Sequence, residues 1–290
     1  MKIDIFEPIS FCFGVEKSIE TIKKYVNSHK HEKVFCLGHP VHNELVSNQL
    51  KKLNINIIDV QPSCYEEEIS KLPNASTIIF SAHGHDKKIE RLCLEKNMII
   101  IDTICPIVEN IQNQINEFLS KNKNVVYIGK NNHPESYAVL KNSHLVNFWD
   151  ISSSFLVDFN IENAIVFNQT TLLKNKLEPI YANFLNKDSS ITIKNTSCKF
   201  VNDRYEKLIK LNPNDYDFIL IAGSTSSSNT LELLNKAEEI FGTKKALLVS
   251  KAEDLVSISN LKHSKSIAIF SGTSTPIELI NDIKQILTQL

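Results

Sequence analysis

The chain has 290 residues, a formal net charge of −1, and 42% hydrophobic against 22% charged residues. That balance excludes an intrinsically disordered chain, and no apolar run approaches the ~18 residues of a membrane-spanning helix. No basic block stands out, which argues against phosphate-driven binding, so neither nucleic acid nor a membrane is expected as a partner.

In chain order, the first run, Met1-Lys2-Ile3-Asp4-Ile5-Phe6, alternates like a strand. It does not read as a signal or transit peptide, so a cytoplasmic protein is expected. Cys12 follows, the first of six cysteines: Cys12, Cys36, Cys64, Cys93, Cys105 and Cys198. None forms a CxxC pair, which excludes zinc ribbons and thioredoxin-type motifs, and without a secretion signal no disulfides are expected. Three of the six are in register. Cys12 to Cys105 is 93 residues, and Cys105 to Cys198 is again 93. A fixed period of this kind marks an internal repeat.

After each of these cysteines, apolar residues recur at three, ten and thirteen positions: Val15, Ile22 and Tyr25; Val108, Ile115 and Phe118; Val201, Leu208 and Leu211. Those spacings share one helical face, which predicts an amphipathic helix after each Cys. Strand-like runs precede them at 2–6, 98–101 and 191–193. Further on, apolar runs end in Gly38, Gly129 and Gly223, and each Gly opens a polar loop. The loops are Gly38-His39-Pro40-Val41-His42-Asn43, Gly129-Lys130-Asn131-Asn132-His133-Pro134-Glu135 and Gly223-Ser224-Thr225-Ser226-Ser227-Ser228-Asn229. A second run in each repeat reaches Phe80, Phe167 or Phe270, followed by Ser81-Ala82-His83-Gly84, Asn168-Gln169-Thr170-Thr171 and Ser271-Gly272-Thr273-Ser274.

Short apolar strands alternating with helices indicate parallel sheets covered on both faces. The predicted fold is α/β, built from three pseudo-threefold-related units over 13–104, 105–197 and 198–290. The third lacks a last strand, which the run within 1–12 can supply. In such sheets ligands gather beyond the carboxyl ends of the strands, and every polar loop above lies at such an end.

These loops carry the candidate site. His42, His83, His133, Ser227, Ser228, Asn229 and Ser274 supply polar side chains near helix starts, where N–H groups and the helix dipole favour an anion. Thr275-Pro276-Ile277-Glu278 has the capping-box pattern with Pro at the first helical position. There is neither a GxGxxG nor a Walker lysine loop, so a small phosphorylated ligand is expected, not a dinucleotide. Glu135 is the carboxylate in the inner part of these loops, placed to relay protons or to complement a helix dipole, and Thr170 offers a hydroxyl to such a relay. Arg204, one of only two arginines with Arg91, is a candidate loop anchor. His29, His31, His144 and His263 read as ordinary surface or core histidines. Seven glycines are few for 290 residues, and six of them fall in the repeated loops.

Cys12, Cys105 and Cys198 fit three roles. They can hold three irons of a cubane cluster, leaving the fourth iron without a protein ligand. They can hold zinc with one open position. Each is also an ordinary small residue before a helix. The residues themselves therefore leave open an iron–sulfur enzyme, a zinc-dependent hydrolase or isomerase, and a non-catalytic binder of a small phosphorylated ligand.

The motifs also resemble a known family. Phe11-Cys12-Phe13-Gly14-Val15, Val41-His42-Asn43, Ser81-Ala82-His83-Gly84, Asp102-Thr103-Ile104-Cys105-Pro106, His133-Pro134-Glu135, Gln169-Thr170-Thr171, Cys198, Ser227-Ser228-Asn229 and Gly272-Thr273-Ser274-Thr275-Pro276 are similar, in this order, to those of the 4-hydroxy-3-methylbut-2-enyl diphosphate reductase (LytB) family. The resemblance spans essentially the whole chain. It implies three α/β units around a central [4Fe-4S] cluster held by Cys12, Cys105 and Cys198. It implies reductive dehydroxylation of (E)-4-hydroxy-3-methylbut-2-enyl diphosphate to isopentenyl and dimethylallyl diphosphates, the last step of the non-mevalonate isoprenoid pathway. Electrons would come from ferredoxin or flavodoxin. His42, His83, Ser227, Ser228, Asn229 and Ser274 match diphosphate ligands. His133, Glu135 and Thr170 match residues around the substrate hydroxyl, with Glu135 as the proton source. The chain departs from the usual family pattern at Phe200-Val201, Tyr205, Ser10 and Ile104.

Overall fold

The computed structural model describes residues 1–30, 32–153 and 159–290. His31 lies outside the described residues.

Twelve strands and ten α-helices are assigned among the described residues. After β1 (Lys2–Ile5), the first repeat runs α1 (Phe13–Ser28), β2 (Val34–Leu37), α2 (Glu44–Lys52), β3 (Ile55–Ile58), α3 (Tyr65–Lys71), β4 (Thr77–Phe80), α4 (Lys87–Glu95) and β5 (Ile99–Asp102). The second runs α5 (Pro106–Ser120), β6 (Val125–Gly129), α6 (Pro134–Asn142), β7 (Asn147–Asp150), β8 (Ile165–Asn168), α7 (Lys174–Lys187) and β9 (Thr192–Ile193). The third runs α8 (Lys199–Ile209), β10 (Phe218–Ala222), α9 (Ser228–Phe241), β11 (Ala246–Val249), β12 (Ser266–Ser271) and α10 (Ile277–Gln289).

The strands form three four-stranded sheets in the orders β3-β2-β4-β5, β7-β6-β8-β9 and β11-β10-β12-β1. All pairings are parallel. Relabelled by repeat, the three orders are the same. The N-terminal strand takes the place that β5 and β9 hold in the other sheets, with Lys2 opposite Ser266 and Ile5 opposite Ile269. Parallel strands are joined by crossovers, usually helical, and α2, α6 and α9 fill the equivalent crossover in the three repeats, from β2 to β3, β6 to β7 and β10 to β11.

The strands read from sequence include the buried sheet centres and also β1, β5 and β9, which are partly exposed outer strands preceding the registered cysteines. β4, β6 and β8 are buried along their whole length, and β12 all but its first residue. The strands that sequence did not separate, β3, β7 and β11, are outer strands of their sheets and only partly buried. Half-buried edges carry a weaker apolar signal than sheet centres.

The chain forms two compact units. A terminal unit comprises Met1–Glu16, Val41–Gln49 and Lys199–Leu290 and carries the third sheet. A central unit comprises Lys17–Pro40 and Leu50–Cys198 and carries the other two. In the terminal unit, Leu220, Ile267 and Ile269 pack with Leu279, Ile283 and Leu287 of α10. In the central unit, alternate residues of the second sheet serve opposite cores. Val126, Ile128 and Val166 meet Leu177, Ile180 and Phe184 of α7, while Val125, Tyr127 and Phe167 meet Ile111 and Ile115 of α5. That period of two, set by the strand itself, directs the Tyr127 ring onto the α5 side.

Candidate functional site

In the terminal unit, the loop after β10 ends in Ser227, which caps α9 by accepting a hydrogen bond from the Thr230 N–H at 3.3 Å. A helix leaves its first N–H groups without intrahelical partners, and Ser228 and Asn229 provide two of them. Asn229 is only 3% exposed. Its Oδ1 accepts from the Thr273 N–H at 2.9 Å, which fastens the loop after β12 to the start of α9. Its Nδ2 is buried with no hydrogen-bond partner, as is the Thr230 hydroxyl. Gly223 and Gly272 crowd the same helix start. A Cβ on either would come within 2.5 Å or 2.1 Å of Thr230 Oγ1, so only glycine lets both loops approach.

Ser274 Oγ donates to the His42 carbonyl at 3.3 Å. Asn43 caps α2, its Oδ1 accepting from the N–H groups of Leu45 and Val46. Cys12 N–H donates to the Thr273 carbonyl at 2.9 Å. One hydrogen-bonded cluster therefore joins Cys12, His42, Asn229 and Ser274, with Ser227 and Ser228 at its edge. The expected capping box at Thr275 does not form. α10 starts at Ile277 with Pro276 as its cap and no side-chain cap bond, because Thr275 Oγ1 donates instead to the Ala222 carbonyl at 2.9 Å.

In the central unit, Glu135 lies in the first turn of α6 and is 1% exposed. Its Oε2 accepts from Thr170 Oγ1 at 2.7 Å, and its Oε1 from the Thr170 N–H at 2.8 Å and the Tyr127 hydroxyl at 3.2 Å. Burial pushes the carboxyl above its ordinary range, and the Thr170 and Tyr127 hydrogen bonds only partly oppose this. His133 caps α6, its Nδ1 accepting from the Glu135 N–H at 3.2 Å. A neutral ring therefore carries its proton on Nε2. The His133 ring meets that of His83 edge-on, with centroids 5.6 Å apart. Ser81 Oγ lies 3.3 Å from His83 Nδ1. Gln169 Oε1 holds the loop after β6 through the Lys130 N–H at 2.9 Å and the Ser136 hydroxyl at 3.3 Å.

One backbone contact recurs in all three repeats. Cys12 N–H donates to Thr273 O, Cys105 N–H to Ala82 O at 3.0 Å, and Cys198 N–H to Thr170 O at 2.8 Å. Each registered cysteine is thus strapped to a loop that carries a candidate site residue. All three are partly exposed. Cys36 and Cys93 differ: both are buried, and burial pushes up both thiols, that of Cys93 to about 11. A thiol must ionise to bind metal, which disfavours Cys36 and Cys93 as ligands. Among the described residues, no group of three or more His, Cys, Asp or Glu is placed to hold a metal ion. Cys12 belongs to the terminal unit, Cys105 and Cys198 to the central one.

A family model described as LytB protein matches residues 3–288. The chain belongs to the LytB family. Among LytB relatives named 4-hydroxy-3-methylbut-2-enyl diphosphate reductase, that of Caldanaerobacter subterraneus subsp. tengcongensis is 30% identical over 98% of this chain and 95% of its own. That of Malacoplasma penetrans is 30% identical over 97% and 95%. The fold is similar to the solved structure of the E-1-hydroxy-2-methyl-but-2-enyl-4-diphosphate reductase from Plasmodium falciparum, with a TM-score of 0.83, 24% identity, and 99% and 88% of the two chains covered. Among the described residues, no helix is long and apolar enough to cross a membrane.

Three departures from the usual LytB pattern find a structural setting. Ser10, in place of glycine, has φ 64°, the left-handed region that favours glycine. Val201 and Tyr205 are buried on α8. Arg204, expected as an anchor, is 1% exposed and donates to the Phe200 and Ser10 carbonyls at 2.7 Å each. Tyr127 was missed, since a tyrosine inside an apolar run looks like sheet core. Its hydroxyl in a wholly buried strand was the available signal, because such a group needs a partner.

Proposed function

We propose that the chain removes the hydroxyl of (E)-4-hydroxy-3-methylbut-2-enyl diphosphate reductively, giving isopentenyl and dimethylallyl diphosphates as the last step of the non-mevalonate pathway. The observation that carries this reading is the buried Glu135 carboxyl bonded to Thr170 on a LytB chain. Loss of a hydroxyl group needs a proton at the leaving oxygen, and burial shifts the Glu135 carboxyl towards its protonated form.

His42, His83, Ser227, Ser228, Asn229 and Ser274 are assigned to the diphosphate. The orphaned Asn229 Nδ2 supports this, being a buried donor that an anionic oxygen would satisfy. Glu135, Thr170 and His133 are assigned to the hydroxyl. Glu135 holds the proton on the oxygen facing Thr170, and Thr170 passes it outward through its hydroxyl.

Cys12, Cys105 and Cys198 are assigned to a [4Fe-4S] cluster. Their partial exposure and their shared strap to the loops fit that donor set. When bound, the cluster supplies single electrons and a Lewis-acidic iron. We assign the three units to 13–104, 105–197 and 198–290 completed by 1–12, with Cys12, Cys105 and Cys198 each just ahead of the first helix of its repeat, and ferredoxin or flavodoxin to electron delivery in the cytoplasm.

Anaerobic reconstitution followed by iron and sulfide analysis tests this reading. A brown protein with about four irons per chain that consumes the substrate with a chemical reductant is the expected result. A colourless, iron-free protein after reconstitution would sink it.

A further inference from the structure

The proton on Glu135 has a defined seat, and a tyrosine outside the polar loops sets it. Tyr127 lies in the middle of β6 and is fully buried. Its hydroxyl donates to Glu135 Oε1 at 3.2 Å, and the Thr170 N–H donates to the same oxygen at 2.8 Å. Oε1 therefore receives two hydrogens from outside. Among the described residues, Oε2 is hydrogen-bonded by the Thr170 hydroxyl alone, at 2.7 Å, and that group can donate or accept. A proton added to Oε1 would meet the Thr170 N–H, which cannot turn away, and would displace the Tyr127 hydroxyl as well. A proton added to Oε2 needs only a turn of the Thr170 hydroxyl.

We propose that Tyr127 is a positioning residue for Glu135: by occupying Oε1, its hydroxyl directs the carboxyl proton to Oε2, beside Thr170. This rests on the reading of Glu135 as proton donor. Burial and the neighbouring carboxylate push the Tyr127 phenol well above its ordinary value, so it remains a donor across the working pH range. The other groups facing Glu135 fit the assignment. His133 accepts from the Glu135 backbone N–H, and the His83 ring meets that of His133 edge-on. Ser136 borders the Tyr127 hydroxyl and donates to Gln169 at 3.3 Å.

Donation from Tyr127 favours the carboxylate, so its loss raises the Glu135 pKa further. A group that must be protonated to act then stays protonated to higher pH.

The test uses the reconstituted holoprotein with Tyr127→Phe, and Tyr127→Leu as a second packing background. Two quantities are read: the pH–rate profile, and the infrared carboxyl stretch that Glu135→Gln removes. We expect the alkaline limb and the titration of the carboxyl band both to move up by about one pH unit, since one hydrogen bond to a charged group is worth about that much. Turnover on the plateau should fall roughly tenfold, in line with a misdirected acid. A limb and a band both at wild-type pH in the Tyr127 variants would overturn the proposal, because a merely structural tyrosine moves neither. If Glu135→Gln turns over like wild type, the proton-donor reading fails instead, and the infrared shift still decides whether Tyr127 seats the proton.

Discussion

The candidate residues of the terminal and central units are held in opposite ways. Around Asn229 the structure leaves donors over: Nδ2 and the Thr230 hydroxyl are buried without partners, beside helix N–H groups that nothing in the helix can use. Around Glu135 it leaves nothing over, since the two carboxyl oxygens take three hydrogen bonds from Thr170 and Tyr127. Buried donors without partners destabilise a fold unless something else satisfies them, so the first arrangement is preorganised for an incoming anion. Desolvation of the Glu135 carboxyl disfavours its charged form, and the three donated hydrogen bonds fix its orientation while only partly opposing this. On the proposed reading, the same strand–loop–helix repeat serves anion binding in one unit and proton donation in the other.

The largest effect should come from the acid. Glu135→Gln keeps the size and the acceptor oxygen but removes the acidic proton. Turnover should fall by about 10²-fold or more, the usual worth of a positioned general acid. Affinity for the diphosphate, measured by calorimetry with inorganic pyrophosphate, should stay near wild type. Lost pyrophosphate binding with preserved turnover would reverse the roles assigned to the two clusters.

The second effect should come from Asn229→Asp. The isosteric change keeps Oδ1 for the Thr273 N–H and replaces the orphaned donor by a negative oxygen. Pyrophosphate affinity should drop by roughly 30-fold or more, since a donor is lost and like charges are opposed. KM should rise while kcat changes much less. Wild-type affinity would mean that the unpartnered amide faces no anion.

The contrast between the clusters was only partly legible in the sequence. The 93-residue register of Cys12, Cys105 and Cys198 exposed the repeat, and strongly buried strands such as β6 and β12 announced themselves by apolar runs. The outer strands β3, β7 and β11 did not, whereas the equally half-buried β1, β5 and β9 were legible because each precedes a registered cysteine. Glu135 and Thr170 could be nominated from their loops. Their hydrogen bond joins residues 35 apart in sequence, and local pattern carries no information about such a pairing. Tyr127 sat inside a run read as core for the same reason. Thr275 shows the converse: a correct local capping pattern lost to a competing carbonyl on β10.

The smallest effect sharpens the comparison by touching neither cluster's chemistry. Ser10 sits at φ 64°, a conformation that costs a non-glycine residue about 1 kcal/mol. Both of its hydrogen bonds use the backbone: its N–H donates to Ser271 Oγ at 3.0 Å, and its carbonyl accepts from Arg204 at 2.7 Å. Glycine would keep both and relieve the left-handed backbone, while adding freedom to the unfolded chain. Ser10→Gly should therefore leave the denaturation midpoint within about 1 kcal/mol of wild type, on the stabilised side, with unchanged pyrophosphate affinity. A clear loss of stability would mean that the serine side chain, and not only its backbone, holds the segment leading to Cys12. The strap between Cys12 and Thr273 would then depend on a contact beyond these two hydrogen bonds.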